Sequence, residues 1–436
     1  MLQLYNNCMD FKTHLLSFLP SKEVEDLLNA LSNEDKHAVL LNPKKMSDEE
    51  FLSLFSNVIP HPYVKHGFIY DKNEYHLGKS LYHELGCFYL QEPSAMIVSS
   101  LIDFIEDDLV LDLCAAPGGK TIQASMKLNN TGLVISNDLS RSRSSITVSN
   151  LERLGLGNVV VSNNDFEKIY GRYLEKFDVV ILDAPCSGSG MFRKDDKMID
   201  DWSINKVYKF AEIQKNLILI AYKMLKPGGT LSYSTCSYSK EEDEDVIHYL
   251  LDNSDAQIKK LPEIKDAYIN PNDPIGIRFM PSSFSGEGQY ICQISKPGIK
   301  KKTHYQRENK YKKTLLEFLN DYDIQKYGDN YFAIKNSSSL PNLNIVRYGV
   351  KVGEQTKDIF YYDLHFARFL SSNDFPNVDL NENQVKEYIR GNQLTLENDK
   401  KGFVLLTHKN KTIDFAKTDG HVIKNYYPKG LRKNIA

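Results

Sequence analysis

Leu111-Asp112-Leu113-Cys114-Ala115-Ala116-Pro117-Gly118-Gly119-Lys120-Thr121 lies where an apolar run gives way to a helical pattern, a strand-to-helix turn on which the fold is decided. Small side chains and two glycines let the backbone come close to a bound ligand, and the next helix offers free N–H groups to a carboxylate or phosphate. That is the chemistry of a nucleotide-cofactor loop. A P-loop ending at Gly119-Lys120-Thr121 would need glycine where Cys114 stands, and no GxGxxG fingerprint is present, so ATP and dinucleotides fit poorly.

Outward from this turn, residues from Asp108 to Ile294 repeat strand, turn and helix. Leu109 to Leu113, Leu133 to Ser136, Val159 to Val161, Phe177 to Leu182 and Thr230 to Tyr233 read as strands, and Val207 to Met224 as a helix between two of them. The alternation predicts an α/β, Rossmann-like doubly wound sheet. Asp138, about twenty residues past the glycines at the end of the second strand, is positioned to take two ribose hydroxyls. Asp165, after the third strand, would take an adenine amino group, and Asp183 ends the next. Such carboxylates around a turn of Cys114, Ala115, Ala116, Pro117, Gly118, Gly119 and Lys120 point to S-adenosylmethionine. Taken singly, each aspartate could instead merely cap the helix that follows.

Two cysteines stand in matched settings, Cys186 in Asp183-Ala184-Pro185-Cys186 and Cys236 in Tyr233-Ser234-Thr235-Cys236-Ser237. Each follows a strand, so in a parallel sheet both emerge at the carboxyl edge, where α/β sheets hold ligands. A lone buried cysteine is usually a small core residue. Here Cys186 precedes Ser-Gly-Ser-Gly, a composition no strand core requires, and Cys236 reads as the start of a helix whose dipole would lower its pKa. Cys8, Cys87 and Cys292 have no such context and read as structural, and Cys114 as packing against the cofactor.

At 436 residues the chain is long enough for two or three domains. A net charge of -3 says nothing of partners, so any nucleic-acid surface must be a local patch. Six cysteines without a CxxC pair argue against a zinc ribbon or a disulfide framework, so we expect reduced thiols and no metal. No signal-like N-terminus or membrane-length apolar run is present, and the expectation is a cytoplasmic monomer away from membranes. The first hundred residues are helically patterned, as from Glu23 to Leu31, with an aromatic and histidine-rich stretch from His61 to Tyr89 that suits either RNA stacking or an interdomain core. Lys296 to Lys313 carries eight Lys or Arg against one Glu, the pattern of a solvated linker or an RNA-binding arm. Beyond it Gln384 to Arg390 reads as a helix and Phe403 to Thr407 as a strand, and the tail from Lys424 to Lys433 holds four basic residues and two tyrosines without an acid.

Three ordered motifs, Asp112 to Thr121, Asp-Ala-Pro-Cys-Ser-Gly-Ser-Gly at 183–190 and Ser-Thr-Cys-Ser at 234–237, resemble those of the NOP/Sun family of RNA (cytosine-5) methyltransferases. Gln91-Glu92-Pro93-Ser94-Ala95-Met96 and the Lys-Asn-Tyr-Tyr-Pro-Lys-Gly-Leu-Arg tail are similar to the RsmF (YebU) branch, which methylates small-subunit ribosomal RNA. One departure is Asp243, where the family usually has asparagine, and little effect is expected.

The resemblance implies a Rossmann-like methyltransferase domain over 86–297, an N-terminal RNA-binding extension over 1–85, a basic linker with a small α+β region over 298–372 and a PUA-like RNA-binding domain over 373–436. It implies S-adenosylmethionine as cofactor, and 16S ribosomal RNA or the small subunit as partner. Cys236 would be the nucleophile that adds to cytosine C6, Cys186 the thiol that helps resolve the adduct, and Asp183 a contact to the cytosine ring near N3 or to the methyl-donor side. A paired target must first be turned out of its stack. Lys300, Lys301, Lys302, Lys429 and Arg432 are the expected RNA contacts. Two other classes are weighed: a DNA (cytosine-5) methyltransferase, disfavoured because serine rather than glutamine follows Pro185-Cys186, and an idle ribosome-assembly factor, for which loss of a cysteine would have argued.

Overall fold

The computed structural model describes residues 10–33, 36–193, 197–300, 319, 322–335, 343–357 and 359–435. Residues 10–16 and Ser21–Ala30 are helical, and Phe11, Leu15, Val24 and Leu27 pack on Phe192, Trp202, Val207 and Tyr238. The N-terminal helices therefore lie against the segments that follow both cysteine motifs. A small antiparallel sheet comes next, built from β1 (His37–Leu41), β2 (Ile59–Pro60), β3 (Gly67–Tyr70) and β4 (Phe88–Gln91) in the order β2-β3-β1-β4.

The central sheet has ten strands. Its parallel heart is β5 (Leu109–Asp112), β6 (Leu133–Asn137), β7 (Val159–Ser162), β8 (Phe177–Asp183) and β9 (Leu225–Thr235), ordered β9-β8-β5-β6-β7. These are the five runs expected to be strands, near-continuously apolar because helices such as Gly119–Leu128, Arg141–Leu154 and Ile204–Met224 cover the sheet. The order reverses between β5 and β8, which makes their carboxyl ends the topological switch point.

The sheet also grows at both edges, which the strand–helix alternation does not announce. On the β9 side it continues antiparallel through β10 (Gln257–Lys259), β11 (Ala267–Tyr268), β12 (Ile277–Phe279) and β13 (Gln289–Ser295). A second small sheet holds β14 (Asp323–Tyr327), β15 (Asn330–Ile334), β17 (Val350–Thr356) and β18 (Ile359–Tyr362), while the intervening β16 (Ile345–Tyr348) pairs antiparallel with β7 and closes the other edge. The last sheet, β19 (Asn377–Asp379), β20 (Leu394–Thr395), β21 (Gly402–His408), β22 (Lys411–Thr418) and β23 (Val422–Lys424), packs the helix Glu382–Arg390, whose start is a capping box between Asn381 and Gln384.

The two ends of the chain share one core. Val39, Leu41 and Phe88 from the first sheet and Phe51 from the helix Asp48–Leu54 share a cluster with Leu406 of the last sheet, Tyr388 and Ile389 of its helix and Tyr427 of the tail. At this junction Glu84 is buried and meets Arg368 at 3.3 Å, the Tyr427 hydroxyl at 2.5 Å and the Lys433 ammonium. Gly155 ends its helix at φ +70°, and a Cβ there would come 2.0 Å from the Arg368 carbonyl oxygen, so only glycine admits this docking. Among the described residues no helix is long and apolar enough to cross a membrane.

Candidate active site

The turn after β5 is organised from beneath by carboxylates. Asp112 is fully buried; its Oδ2 accepts from the Thr121 hydroxyl at 2.6 Å, while Oδ1 has no partner among the described residues, and burial pushes the group up to about 7. Asp138 accepts from Ser140 N at 2.8 Å and Ala116 N at 3.3 Å, with Arg143 3.5 Å away. The helix Gly119–Leu128 begins after Gly118 at φ +105° with no side-chain cap, so its first N–H groups stay available. An uncapped helix start, an orphaned buried carboxylate oxygen and Asp138 one strand away suit a ligand that carries both a carboxylate and cationic groups. S-adenosylmethionine is such a ligand, and these residues fit it.

Across the switch point lie the thiols. In the register of β8 with β9, Asp183 stands opposite Ser234, so the two chains leave the sheet level with each other. Cys186 Sγ and Cys236 Sγ lie 3.1 Å apart, both half-buried. The contact with Cys236 and burial hold the Cys186 thiol well above its ordinary pKa. Asp183 accepts from the Lys120 ammonium at 2.5 Å, the Ser234 hydroxyl at 2.7 Å and the Gln289 amide at 3.0 Å. Lys120 thus joins the turn after β5 to the end of β8, and the negative charge of Asp183 keeps it protonated despite burial.

A carboxylate that the motifs leave unremarked ties the cysteine loops together. Glu242 is fully buried and accepts from Ser187 N at 2.8 Å, Ser187 Oγ at 2.5 Å, Ser237 Oγ at 2.5 Å and Gln214 Nε2 at 3.1 Å. Ser187 follows Cys186 and Ser237 follows Cys236, so one side chain sets the spacing of both sulfurs. Glu242→Gln places an amide N–H against at least one of these donors. Turnover should fall roughly 10- to 100-fold, as small misplacements of reacting groups do, with cofactor affinity unchanged. Steady-state methylation beside calorimetry checks this, and unaltered turnover would remove the role. Next to it, Asp243 accepts from the Thr235 hydroxyl at 2.6 Å and pairs with Arg278 at 3.0 Å, and Arg278 also grips Glu244.

Residues 99–295 match the family model for 16S rRNA methyltransferase RsmB/F, residues 375–433 that for the methyltransferase RsmF PUA domain, and residues 8–93 that for the N-terminal domain of 16S rRNA methyltransferase RsmF. The chain is 31% identical, over 97% of its own length and 97% of the relative's, to ribosomal RNA small subunit methyltransferase F of Vibrio atlanticus. It belongs to the RsmF family of 16S rRNA methyltransferases. The protein of the same name in Vibrio vulnificus is 30% identical over 97% of this chain and 96% of its own length. Among solved structures, a methyltransferase homologue from Pyrococcus horikoshii is 28% identical with a TM-score of 0.58, covering 65% of this chain and 93% of that one.

In this RsmF-family protein several residues sit differently from expectation. Cys236 is not at a helix start: the next helix begins at Glu244, so the sulfur's setting comes from Cys186 and nearby Lys120 rather than from a dipole. Asp165 caps the short helix Phe166–Ile169 through Glu167 N at 3.2 Å and pairs with Lys168 at 2.8 Å, which leaves its carboxylate partly occupied. Lys300 is paired with Asp108 at 2.6 Å, and Lys301 and Lys302 lie outside the described residues, as does Cys8. In the tail Tyr427 is buried and Arg432 donates to its carbonyl oxygen at 3.2 Å, so part of this basic stretch clamps the chain ends together, while Lys429 is exposed. His61 is buried against Phe284 with Nε2 3.0 Å from Pro93 O, and Tyr63 donates to Asp266 at 2.6 Å; these aromatics are interdomain packing. Cys87 and Cys292 are buried small residues, and Cys114 is half-buried beside Asp112 and Asp138. Glu92 caps the helix Pro93–Ser100 and accepts from Glu287 N at 2.7 Å, anchoring the loop that leads into Gln289. Glu242, Arg278 and Gln289 went unread in the motifs; the one available signal for the first was a run of acids, Glu241 to Glu244, directly behind an apolar strand.

Proposed function

We propose that this protein transfers a methyl group from S-adenosylmethionine to C5 of a cytosine in 16S ribosomal RNA through a covalent bond between Cys236 and C6. The observation that carries the reading is the contact of two thiols at the switch point, 3.1 Å apart, opposite a turn with the features of a cofactor loop. Cytosine C5 is too weak a nucleophile to take a methyl group unaided. Addition of the Cys236 thiolate to C6 moves the C5–C6 π pair onto C5, where it forms the bond to the incoming methyl group; loss of the C5 proton to a base then leaves the C5–H pair to rebuild the double bond as the S–C6 pair returns to sulfur. The bound cofactor supplies an electrophilic methyl group. Cys186, 3.1 Å from the attacking sulfur, is assigned to the release step. Asp183 is assigned either the ring edge near N3, where a proton held between carboxylate and ring draws electrons from C6 as the thiolate adds, or the methyl-donor side of the pocket, with Lys120 as the cation beside it. Ser234 and Gln289 hold that carboxylate in one orientation.

Bisulfite sequencing of 16S rRNA incubated with the protein and S-adenosylmethionine should show a new protected cytosine; methyl label on another base or position overturns the reading. The cofactor half is tested separately. Asp138→Ala should weaken S-adenosylmethionine binding by about 1.5–3 kcal/mol, the scale of charge-assisted hydrogen bonds, measured calorimetrically on protein whose melting curve shows it folded. Unchanged affinity would remove Asp138 from the site.

A further inference from the structure

We propose that Tyr361, Phe403 and Tyr426, with Lys417 and Lys424, form an RNA-stacking surface separate from the cysteine pair, one that holds unpaired bases of the substrate RNA. In the last sheet Phe403, Lys417 and Lys424 stand directly opposite one another on β21, β22 and β23, so they form a row across three strands. One step along the same face, Leu405 and Phe415 are paired and fully buried in the core shared with the second small sheet. The face therefore runs from dry core to open rim within two residues. At the rim Tyr361, from β18 of the neighbouring sheet, places its ring centre 6.2 Å from those of Phe403 and of Tyr426, and the latter two are 6.1 Å apart. Tyr426 is 39% exposed, and Tyr361 and Phe403 are half-buried.

The charge pattern selects the occupant. The Lys417 ammonium lies 5.6 Å from the centre of the Phe403 ring, and among the described residues neither it nor the exposed Lys424 has a carboxylate partner. On the helix of this domain the cations are neutralised, Lys386 by Glu382 and Arg390 by Glu387. Half-open aromatic faces beside unpaired ammonium groups match a nucleotide strand, whose bases stack and whose phosphates attract cations. An apolar protein partner would not need the lysines, and duplex RNA would not present bases to the rings.

The inference rests on RNA as the substrate class. The full chain is titrated with a fluorescent single-stranded RNA of about twelve nucleotides, within the usual span of single-strand sites, and with its duplex. Tyr426→Ala should weaken single-strand binding by about fivefold or more, the low end of a lost base–aromatic stack, and Tyr426→Phe should restore it. Replacing Lys417 and Lys424 together by alanine should lower the salt slope of log affinity by about 1.4, two single-strand phosphate contacts. Duplex binding and kcat at saturating RNA should not move. Wild-type single-strand affinity and slope in both variants overturn the proposal and leave a protein partner or a mere seal between sheets. A wild-type chain that binds no RNA fails the function reading itself, and the proposal with it.

Discussion

Cys236→Ala protein should transfer no methyl groups and form no RNA complex that survives denaturation, because no bond to C6 can be made without that sulfur. Cys186→Ala should do the reverse. Attack and methylation proceed, release slows, and a protein–RNA adduct accumulates that resists denaturing electrophoresis and vanishes when Cys236 is also replaced. The geometry makes the pair informative: the sulfurs touch at 3.1 Å, so position alone does not distinguish them and the adduct does. An adduct that builds up in Cys236→Ala and depends on Cys186 would exchange the two roles. Methylation unchanged in both single variants would reduce both thiols to packing.

Arg278→Leu should be the most destabilising single change near the site. The guanidinium is buried on β12, 5.0 Å from the centre of the Tyr290 ring, and lies between Asp243 and Glu244. Removing it strands two buried carboxylates, a loss of about 3–5 kcal/mol, which lowers the melting temperature of a domain this size by roughly 6–20 °C. Arg278→Lys should recover little, since one ammonium cannot fork across both acids. Asp243→Asn should be mild. Burial already pushes the Asp243 carboxyl well up against the pull of Arg278, and an asparagine keeps an acceptor for Thr235. Differential scanning calorimetry checks all three, and an Arg278→Leu melt within about 1 °C of the parent would show that the triad stores no such energy. Because Thr235 precedes Cys236 and its hydroxyl accepts from Ser237 N at 3.1 Å, turnover should drop with stability while the 114–120 turn still binds cofactor.

The parallel strands, the strand-to-helix turn at 113–118 and the places of Cys186, Cys236 and Asp183 were all legible in the sequence, because each depends on a local pattern: an apolar run, a small-residue turn, a residue at a strand end. A run of Val179-Val180-Ile181-Leu182 is a buried strand whatever surrounds it. Charged residues are different. Lys300 is expected to contact RNA, and the folded chain also gives it an internal partner, Asp108, that no local pattern announces. A charge has no preference of its own between solvent, RNA and an internal partner; the opposing group decides, and it arrives from far along the chain.

What the sequence determined by itself is the sheet, the turn and the chemistry-bearing residues at the strand ends. Only the tertiary structure decided that Glu242 spans two loops fifty residues apart, that Asp183 faces Lys120 and Gln289, that β13 and β16 close the sheet at its edges, and that the first and last sheets share one core. The physical reason is the range of the forces involved. Hydrophobic periodicity acts over one element and is written in adjacent residues, whereas hydrogen bonds, ion pairs and antiparallel edge pairing depend on which distant segment packing brings within about 3 Å.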